Sequence, residues 1–579
     1  MSRARRRTTI AVALAALLGA TVPAVVATGS ATAQPASRAS TDWPTYGRSD
    51  QRDFVAPTTL TPLSVQTLAP KWFFSTGDAV TAQPIVVGST VYVGSWDGNF
   101  YAIDSATGTL QWKFGLDQQP AIFPPSTGRT PADLQQDTTS DGGLVTSTAA
   151  FVPATSKHPD LVVFGGGFTL YALRTGALPA GVSRLYWKHV YSGLPGAPPD
   201  PAGDSTRIFA SPAVVGDQVL FGVSTDGESG HRGYFSSADL LTGNENWRVE
   251  TDVDQTGAIL NNGCGGVWAS PTIDDADNLA VFGISDCNSV ASPAPFAERL
   301  LGVRINKKLP IGTSRVAWAF TPPRVAQGDV ACDFDFGATA NYGHLPNGTP
   351  FVGAGNKDGT FYALDPRPAK ATLDPTTGLP GPHLLWATNV VFGGPAGGFI
   401  APSAFDGQNV YASTAIGDFG VPPSQCEPGN PRDLPVQEPS GYSFNASSGA
   451  TRWSQPNSQD FGAVSEAGGM TFSATAISNQ LQIRDAGTGL PLRIIPLPAP
   501  SNSGVVVSGD SIYFGTGGPQ QGSPDGVYGF SPLGSLPNPP GVGGVGGLPT
   551  PPSVTGLPVL GPLLSSLFAV LKSLLGLGS

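Results

Sequence analysis

The sequence predicts an all-β fold, an eight-bladed β-propeller with seven blades as the competing count, and three observations predict it. A phrase reading Ala102-Ile103-Asp104-Ser105-Ala106-Thr107-Gly108-Thr109-Leu110-Gln111-Trp112 returns in variants along most of the chain. A unit that recurs every few dozen residues cannot bury its apolar face alone, so the copies must stack on one another. Glycine and proline number 75 and 56, and helical periodicity is scarce, which favours short strands and many tight turns. The last copy, Val527-Tyr528-Gly529-Phe530, stops before its outer strand, and Pro70-Lys71-Trp72-Phe73-Phe74 is a strand of the missing kind. The ring is therefore expected to close on its own N-terminal strand.

Each copy reads as strands joined by turns. In blade one an apolar strand ending Tyr92–Gly94 precedes Asp97-Gly98, a turn into Phe100–Asp104. Thr107-Gly108 turns the chain again, the glycine supplying φ > 0, and the outer strand delivers Trp112. Blade three repeats the phrase with Asp239, Thr242-Gly243 and Trp247, and blade six keeps Ser448-Gly449 and Trp453. Blade five has Ala363-Leu364-Asp365, then an insertion before Thr377-Gly378 and Trp386. Blade seven keeps Asp485, Thr488 and Gly489 without a tryptophan. Blade two (Thr175-Gly176, Trp187) and blade four (Gly302-Val303, Trp318) are eroded. Short strands with a large aromatic on each outer edge are what propeller blades require.

Outside residues 34–533, assigned to the propeller, the chain changes character. Residues 1–33 combine an arginine-rich head, an apolar run from Ile10 to about Val26 and the small residues Ala31-Thr32-Ala33. They read as a secretory signal peptide, with an uncleaved anchor as the alternative, and place the protein outside the cytoplasm, secreted or in the cell envelope. Removing them takes away four arginines and no acid, leaving 27 basic against 42 acidic residues, a net of −15. An acidic chain with no basic tract argues against nucleic acid as a partner. Residues 534–556 read as a Pro/Gly-rich linker. Residues 557–579 carry an apolar, amphipathic pattern too short to span a bilayer; a membrane surface, a partner protein or a loose tail are its open readings.

Four cysteines in an exported chain suggest disulfides. Cys264 and Cys287 flank an expected hairpin, Val267–Ile273 and Leu279–Ser285, whose apparent register sets the two directly opposite each other. Cys332 and Cys426 remain as a second pair. No Cys-x-x-Cys-His occurs, so no c-type haem is expected on this chain. The five histidines have no metal-ligand spacing, and no nucleophile elbow, phosphate loop or dinucleotide fingerprint is evident.

The A-x-D-x-x-T-G-x-x-x-W phrase resembles the blade repeat of the quinoprotein alcohol dehydrogenase-like superfamily, which includes methanol, ethanol and polyvinyl-alcohol dehydrogenases using pyrroloquinoline quinone (PQQ). The resemblance spans roughly Asp42 to Leu533 and is nearest to the polyvinyl-alcohol members. It implies a quinone on the propeller axis, a Ca²⁺ at its carbonyls and an aspartate that takes the proton of the alcohol. Gly227-Glu228-Ser229-Gly230-His231-Arg232-Gly233-Tyr234 is similar to the phrase of the family's calcium glutamate, which makes Glu228 the candidate metal ligand; an acidic loop tip is the plainer reading. Thr225, just ahead of it, is a candidate cofactor contact. Trp268 opens a phrase, Trp268-Ala269-Ser270-Pro271, that is similar to the family's stacking floor. The family's calcium asparagine falls on Asp286, with Asn288 as a nearby alternative ligand. The segment Cys332-Asp333-Phe334-Asp335-Phe336 is similar to the catalytic phrase. A one-residue shift makes Asp333 the base, with Asp335 in a structural role. Lys357, before Asp358-Gly359, stands where the family sets a cation beside the quinone oxygens. The adjacent-cysteine disulfide of the methanol and ethanol branches has no counterpart between Gly115 and Gly143.

Together these features imply an exported dehydrogenase dependent on PQQ and calcium. It would oxidise primary or secondary alcohols, bulky or polymeric ones among the candidates, and pass electrons to a separate acceptor such as a cytochrome c or a quinone. The alternative is a PQQ-free propeller serving as an envelope scaffold or binding module.

Overall fold

The computed structural model describes residues 41–532, apart from 117–144, 192–205, 226–230, 255, 288–294, 324–332, 368–372, 395–396, 416–436 and 518–523. The leader, the linker, the terminal segment, Glu228, Asn288, Cys332 and Cys426 lie outside the described residues.

Eight sheets form the ring, antiparallel throughout except that Val55–Ala56 adds a parallel fifth strand beside Ser465–Ala467. Their innermost strands are Ile85–Val87, Ala150–Val152, Ala213–Val215, Thr272–Asp274, Asn341–His344, Ala404–Phe405, Ser465–Ala467 and Val506–Ser508. In blade eight the outer strand is Leu68–Ser75, which pairs antiparallel with Gly526–Pro532, so the first long strand of the chain completes the last blade. The count is eight, not seven.

The recurring phrase has a physical basis, seen in full in blades one and seven. Asp104 Oδ1 accepts from the Thr107 N–H and hydroxyl, both at 2.8 Å, and Asp485 does the same for Thr488 at the same distances. A side-chain acceptor thus replaces a backbone one at the turn. In blades one, three, six and seven the following glycine lies against the preceding blade's tryptophan. A Cβ on Gly108 would meet Trp72 at 2.6 Å, and one on Gly489 would meet Trp453 at 2.6 Å. The indole N–H then donates across the blade boundary, Trp72 to the Ser105 carbonyl at 3.0 Å and Trp453 to that of Ala486 at 2.9 Å. Blade five differs from expectation. Its turn acceptor is Asp374, within the insertion, which binds Thr377; Asp365 instead pairs with Arg367.

A second role of the N-terminal segment has no counterpart in the sequence reading. Residues 43–59 run around one end of the axis and engage every blade. Val86 accepts from the Trp43 N–H. Phe151, Ile273, Tyr342, Phe405 and Glu466 donate to the carbonyls of Pro44, Asp50, Gln51, Asp53 and Phe54. Thr59 donates to Gly509 in blade eight, and the fully buried Arg52 guanidinium reaches the Pro212 and Pro271 carbonyls of blades three and four. Inner strands present unpaired edges to the axis, and this segment satisfies them. In several blades the residue three positions upstream of these contacts (Gln83, Thr148, Ser270, Thr339, Pro402) lines an axial cavity of about 140 Å³. The clasp therefore closes one end of that cavity, and its own Tyr46 lines it.

Candidate functional site

The site lies toward the opposite end of the axis, where inner strands begin and second strands turn into third strands. Two turns of the same kind show how it is built. Asp97-Gly98 in blade one and Asp358-Gly359 in blade five each hold the next-but-one N–H and a tyrosine hydroxyl on one aspartate, through Asn99 and Tyr101 or Thr360 and Tyr362. The residue before each aspartate donates its N–H to the chain entering the inner strand, Trp96 to Ala79 at 2.9 Å and Lys357 to Asp335 at 3.0 Å. Lys357 thus takes in blade five the slot that Trp96 takes in blade one.

Lys357 is 0% exposed. Its Nζ lies 2.8 and 3.0 Å from the two Asp333 oxygens and 3.1 Å from Asp335 Oδ1. It also stands 5.2 Å from the centre of the Trp268 ring. Trp268 donates Nε1–H to Asp335 Oδ2 at 3.0 Å, so Asp335 fixes both the indole and the ammonium. Asp286, Asp333 and Asp335 each offer a carboxylate oxygen within 4.8 Å of the other two. Asp333 adopts a left-handed backbone, φ 54°, which aspartate tolerates better than most residues.

Burial pushes the Asp333 and Asp335 carboxyls up against the opposing charge of Lys357. Asp286 is pushed up to about 6, by burial first, with Lys357 opposing. Burial alone would lower Lys357, but Asp333, Asp335 and Asp286 outweigh it and keep the ammonium charged. Glu298 is pushed well above the usual carboxylate range by burial and then by Asp286. With one cation against three converging carboxyls, full ionisation would leave an excess of negative charge out of water, and a hard metal ion would relieve it. The donor set fits an oxygen-liganded metal.

Trp268 also fits a wall for a flat ligand. It borders the axial cavity, and its far edge rests on Gly337, where a Cβ would stand 2.1 Å from the ring. Asp335 and Gly337 together hold the indole in one orientation, with a cation beside it.

The structure thus brings together Trp268, Asp286, Asp333 and Lys357 from the expected residues, and adds Asp335 as their organiser. Thr225 is buried, and its hydroxyl donates to the Gly263 carbonyl, next to Cys264. Cys264 and Cys287 form a disulfide with their Cα atoms 4.4 Å apart. The hairpin between them is shorter than expected and out of register. Its ladder pairs Thr272 with Val281 and Asp274 with Leu279, whereas the Ser285-to-Gly266 bond nearer the disulfide is offset by two positions. Sequence reasoning missed Gly337, Asn356 and Glu298. Glu298 left one signal, an acid set at the start of the apolar strand Leu300–Arg304.

Residues 43–289 match the family model described as the glucose/ethanol/alcohol dehydrogenase β-propeller domain. The chain is 24% identical over 387 residues to a polyvinylalcohol dehydrogenase of Pseudomonas sp, covering 61% of this chain and 51% of that protein. It is 28% identical over 218 residues to methanol dehydrogenase [cytochrome c] subunit 1 of Methylorubrum extorquens, covering 37% and 30%. The chain therefore spans about half the length of the polyvinylalcohol dehydrogenase it matches. Among solved structures, the quinohemoprotein alcohol dehydrogenase from Comamonas testosteroni superposes with a TM-score of 0.60 at 17% identity, covering 93% of this chain and 86% of that one. A europium-containing methanol dehydrogenase gives 0.58 at 17%, covering 85% and 98%. The resemblance to the quinoprotein alcohol dehydrogenase-like propellers is thus carried by the family model over residues 43–289, by relatives of low identity and by the fold.

Proposed function

We propose that this quinoprotein alcohol dehydrogenase-like propeller is an exported dehydrogenase that binds PQQ and a calcium ion and oxidises primary or secondary alcohols. The observation that carries the reading is the buried Lys357, held between Asp333 and Asp335 on the face of Trp268. Trp268 would stack on the quinone, and Thr225 is a further proposed contact. Asp286 would ligate the metal, with Glu228 and Asn288 completing the set. Bound PQQ supplies the electrophilic carbonyl that accepts a hydride.

The chain's own residues do the rest. Asp333, ionised, accepts the hydroxyl proton of the alcohol on a carboxylate oxygen as the carbinol C–H bond breaks. Lys357 would hold a positive charge beside the oxygens of a bound quinone. Asp335 fixes the indole and the ammonium so that neither must reorganise during the reaction. The clasp excludes water from one end of the axis. Electrons would leave through a separate acceptor, a cytochrome c or a quinone.

The test adds PQQ and Ca²⁺ to the purified protein and follows reduction of an artificial acceptor with simple and polymeric alcohols. Europium serves as a second metal, because one structural relative is described as containing it. Activity is expected to need quinone and metal together. Asp333→Asn should retain PQQ binding and slow turnover by about 10²- to 10⁴-fold. A wild-type protein that leaves PQQ absorbance and its own tryptophan fluorescence unchanged would overturn the reading and leave the binding module.

A further inference from the structure

We infer that Glu298 is a positioning residue for the acid pair Asp333 and Asp335, acting through the peptide of Phe334; the inference deepens the reading above and rests on it for its link to the metal.

Glu298 lies in the turn two residues ahead of Leu300–Arg304, the third strand of blade four. Its N–H donates to the Ser285 carbonyl at 2.9 Å, which sets it beside Asp286, in the segment that follows the second strand, Leu279–Gly283. Its side chain is 0% exposed, and Oε1 accepts the Phe334 N–H of blade five at 2.8 Å. The other side of the same residue is held as well, since Asn356 Nδ2 donates to the Phe334 carbonyl at 2.8 Å. Asn356 in turn precedes Lys357, and its Oδ1 accepts the Asp358 N–H at 2.7 Å. The backbone joining the two acids is therefore gripped by a side chain from blade four and by one from blade five. Phe334 itself is 0% exposed, so it cannot rotate without leaving the core.

Glu298 does not belong to the group of carboxylates that converge within 4.8 Å, which is Asp286, Asp333 and Asp335. It acts on them through Phe334 and not as one of them. Its second oxygen, Oε2, is buried with no hydrogen-bond partner among the described residues. An acid is an expensive way to accept one N–H in the core, and its placement suits a site that must hold two carboxylates at a fixed separation. Groups that orient metal ligands commonly change metal affinity 10- to 100-fold when removed.

Two readouts on apo protein and one with metal decide the matter. Amide hydrogen exchange, read by mass spectrometry with fragmentation to single residues, should show Phe334 protected in the wild type. Protection should be lost in Glu298→Ala and kept in Glu298→Gln, whose amide oxygen still accepts the N–H. The thermal midpoint of each apo variant reports folding. Calorimetric titration with Ca²⁺ alone should show at least tenfold weaker binding for Glu298→Ala and recovery of most of that loss in Glu298→Gln. Unchanged exchange at Phe334 in Glu298→Ala would refute the grip. Lost protection with unchanged calcium affinity would refute the positioning role. A wild type that binds no calcium would sink the functional reading and with it the positioning role, while the exchange data would still decide the grip.

Discussion

At the scale of single residues, Lys357 is the pivot. Its ammonium is the one positive charge within salt-bridge distance of Asp333 and Asp335 among the described residues. Removing one partner of a buried ion pair leaves an uncompensated charge and costs about 3–5 kcal/mol. Lys357→Met should therefore lower the thermal midpoint in chelator, and calcium should restore part of the loss by replacing the missing charge. Equal destabilisation with and without calcium would mean that no cation enters there. A second residue sets a pH dependence. Glu466, in the inner strand of blade seven, is pushed up to about 7 by burial. Its proton is held more tightly in the fold than in the unfolded chain, where the value is 4.5. The stabilisation is complete below pH 4.5 and is lost as pH rises through 7. A shift of this size corresponds to roughly 3 kcal/mol. Glu466→Gln should flatten the stability profile between pH 5 and 8 and raise stability at the alkaline end, as measured by urea unfolding.

At the scale of elements, the repeat was legible because each of its letters performs a local task. Aspartate caps a turn, threonine joins the cap, and glycine lets the preceding blade's tryptophan approach. Such tasks depend on near neighbours, so spacing alone reveals them. Trp268, Asp286, Asp333 and Lys357 were also legible, each in a phrase tied to a particular strand end. Blade five shows where legibility stopped, because Asp365 keeps the expected place while Asp374 does the capping. Asp374→Ala should cost about 1–2 kcal/mol through the turn N–H left without its acceptor. Asp365→Ala should cost less, since its partner Arg367 is exposed. Urea midpoints of the two variants check the order. Glu298 and Asn356 were not legible, because their tasks join residues from two blades and no local pattern records such a bond.

At the scale of the whole molecule, one chain segment does two jobs at the two radii of the ring. Leu68–Ser75 closes the circumference, and residues 43–59 close one end of the axis. Only the first was visible in sequence, as a strand matching a gap in the repeat. The clasp uses mainly backbone groups against open inner edges, and such bonds carry no side-chain signature. Arg52 is the exception. It donates to Thr45 and to the carbonyls of Pro212 and Pro271, all buried. Arg52→Met should destabilise the protein by about 3 kcal/mol by leaving those acceptors bare. A shift below 1 kcal/mol in denaturant unfolding would show that the clasp is held by its backbone bonds alone.

Asp286, Asp333 and Asp335, with Lys357 and Trp268, are proposed to form one metal and quinone site on the axis. The most direct test is a crystal structure of the protein grown with PQQ and europium, whose anomalous scattering locates the metal without reference to the surrounding density. A single strong peak is expected in coordination contact with oxygens of Asp286, Asp333 or Asp335, with a quinone plane lying against Trp268. Metal and quinone bound elsewhere, with the three carboxylates still closed around Lys357 alone, would contradict it.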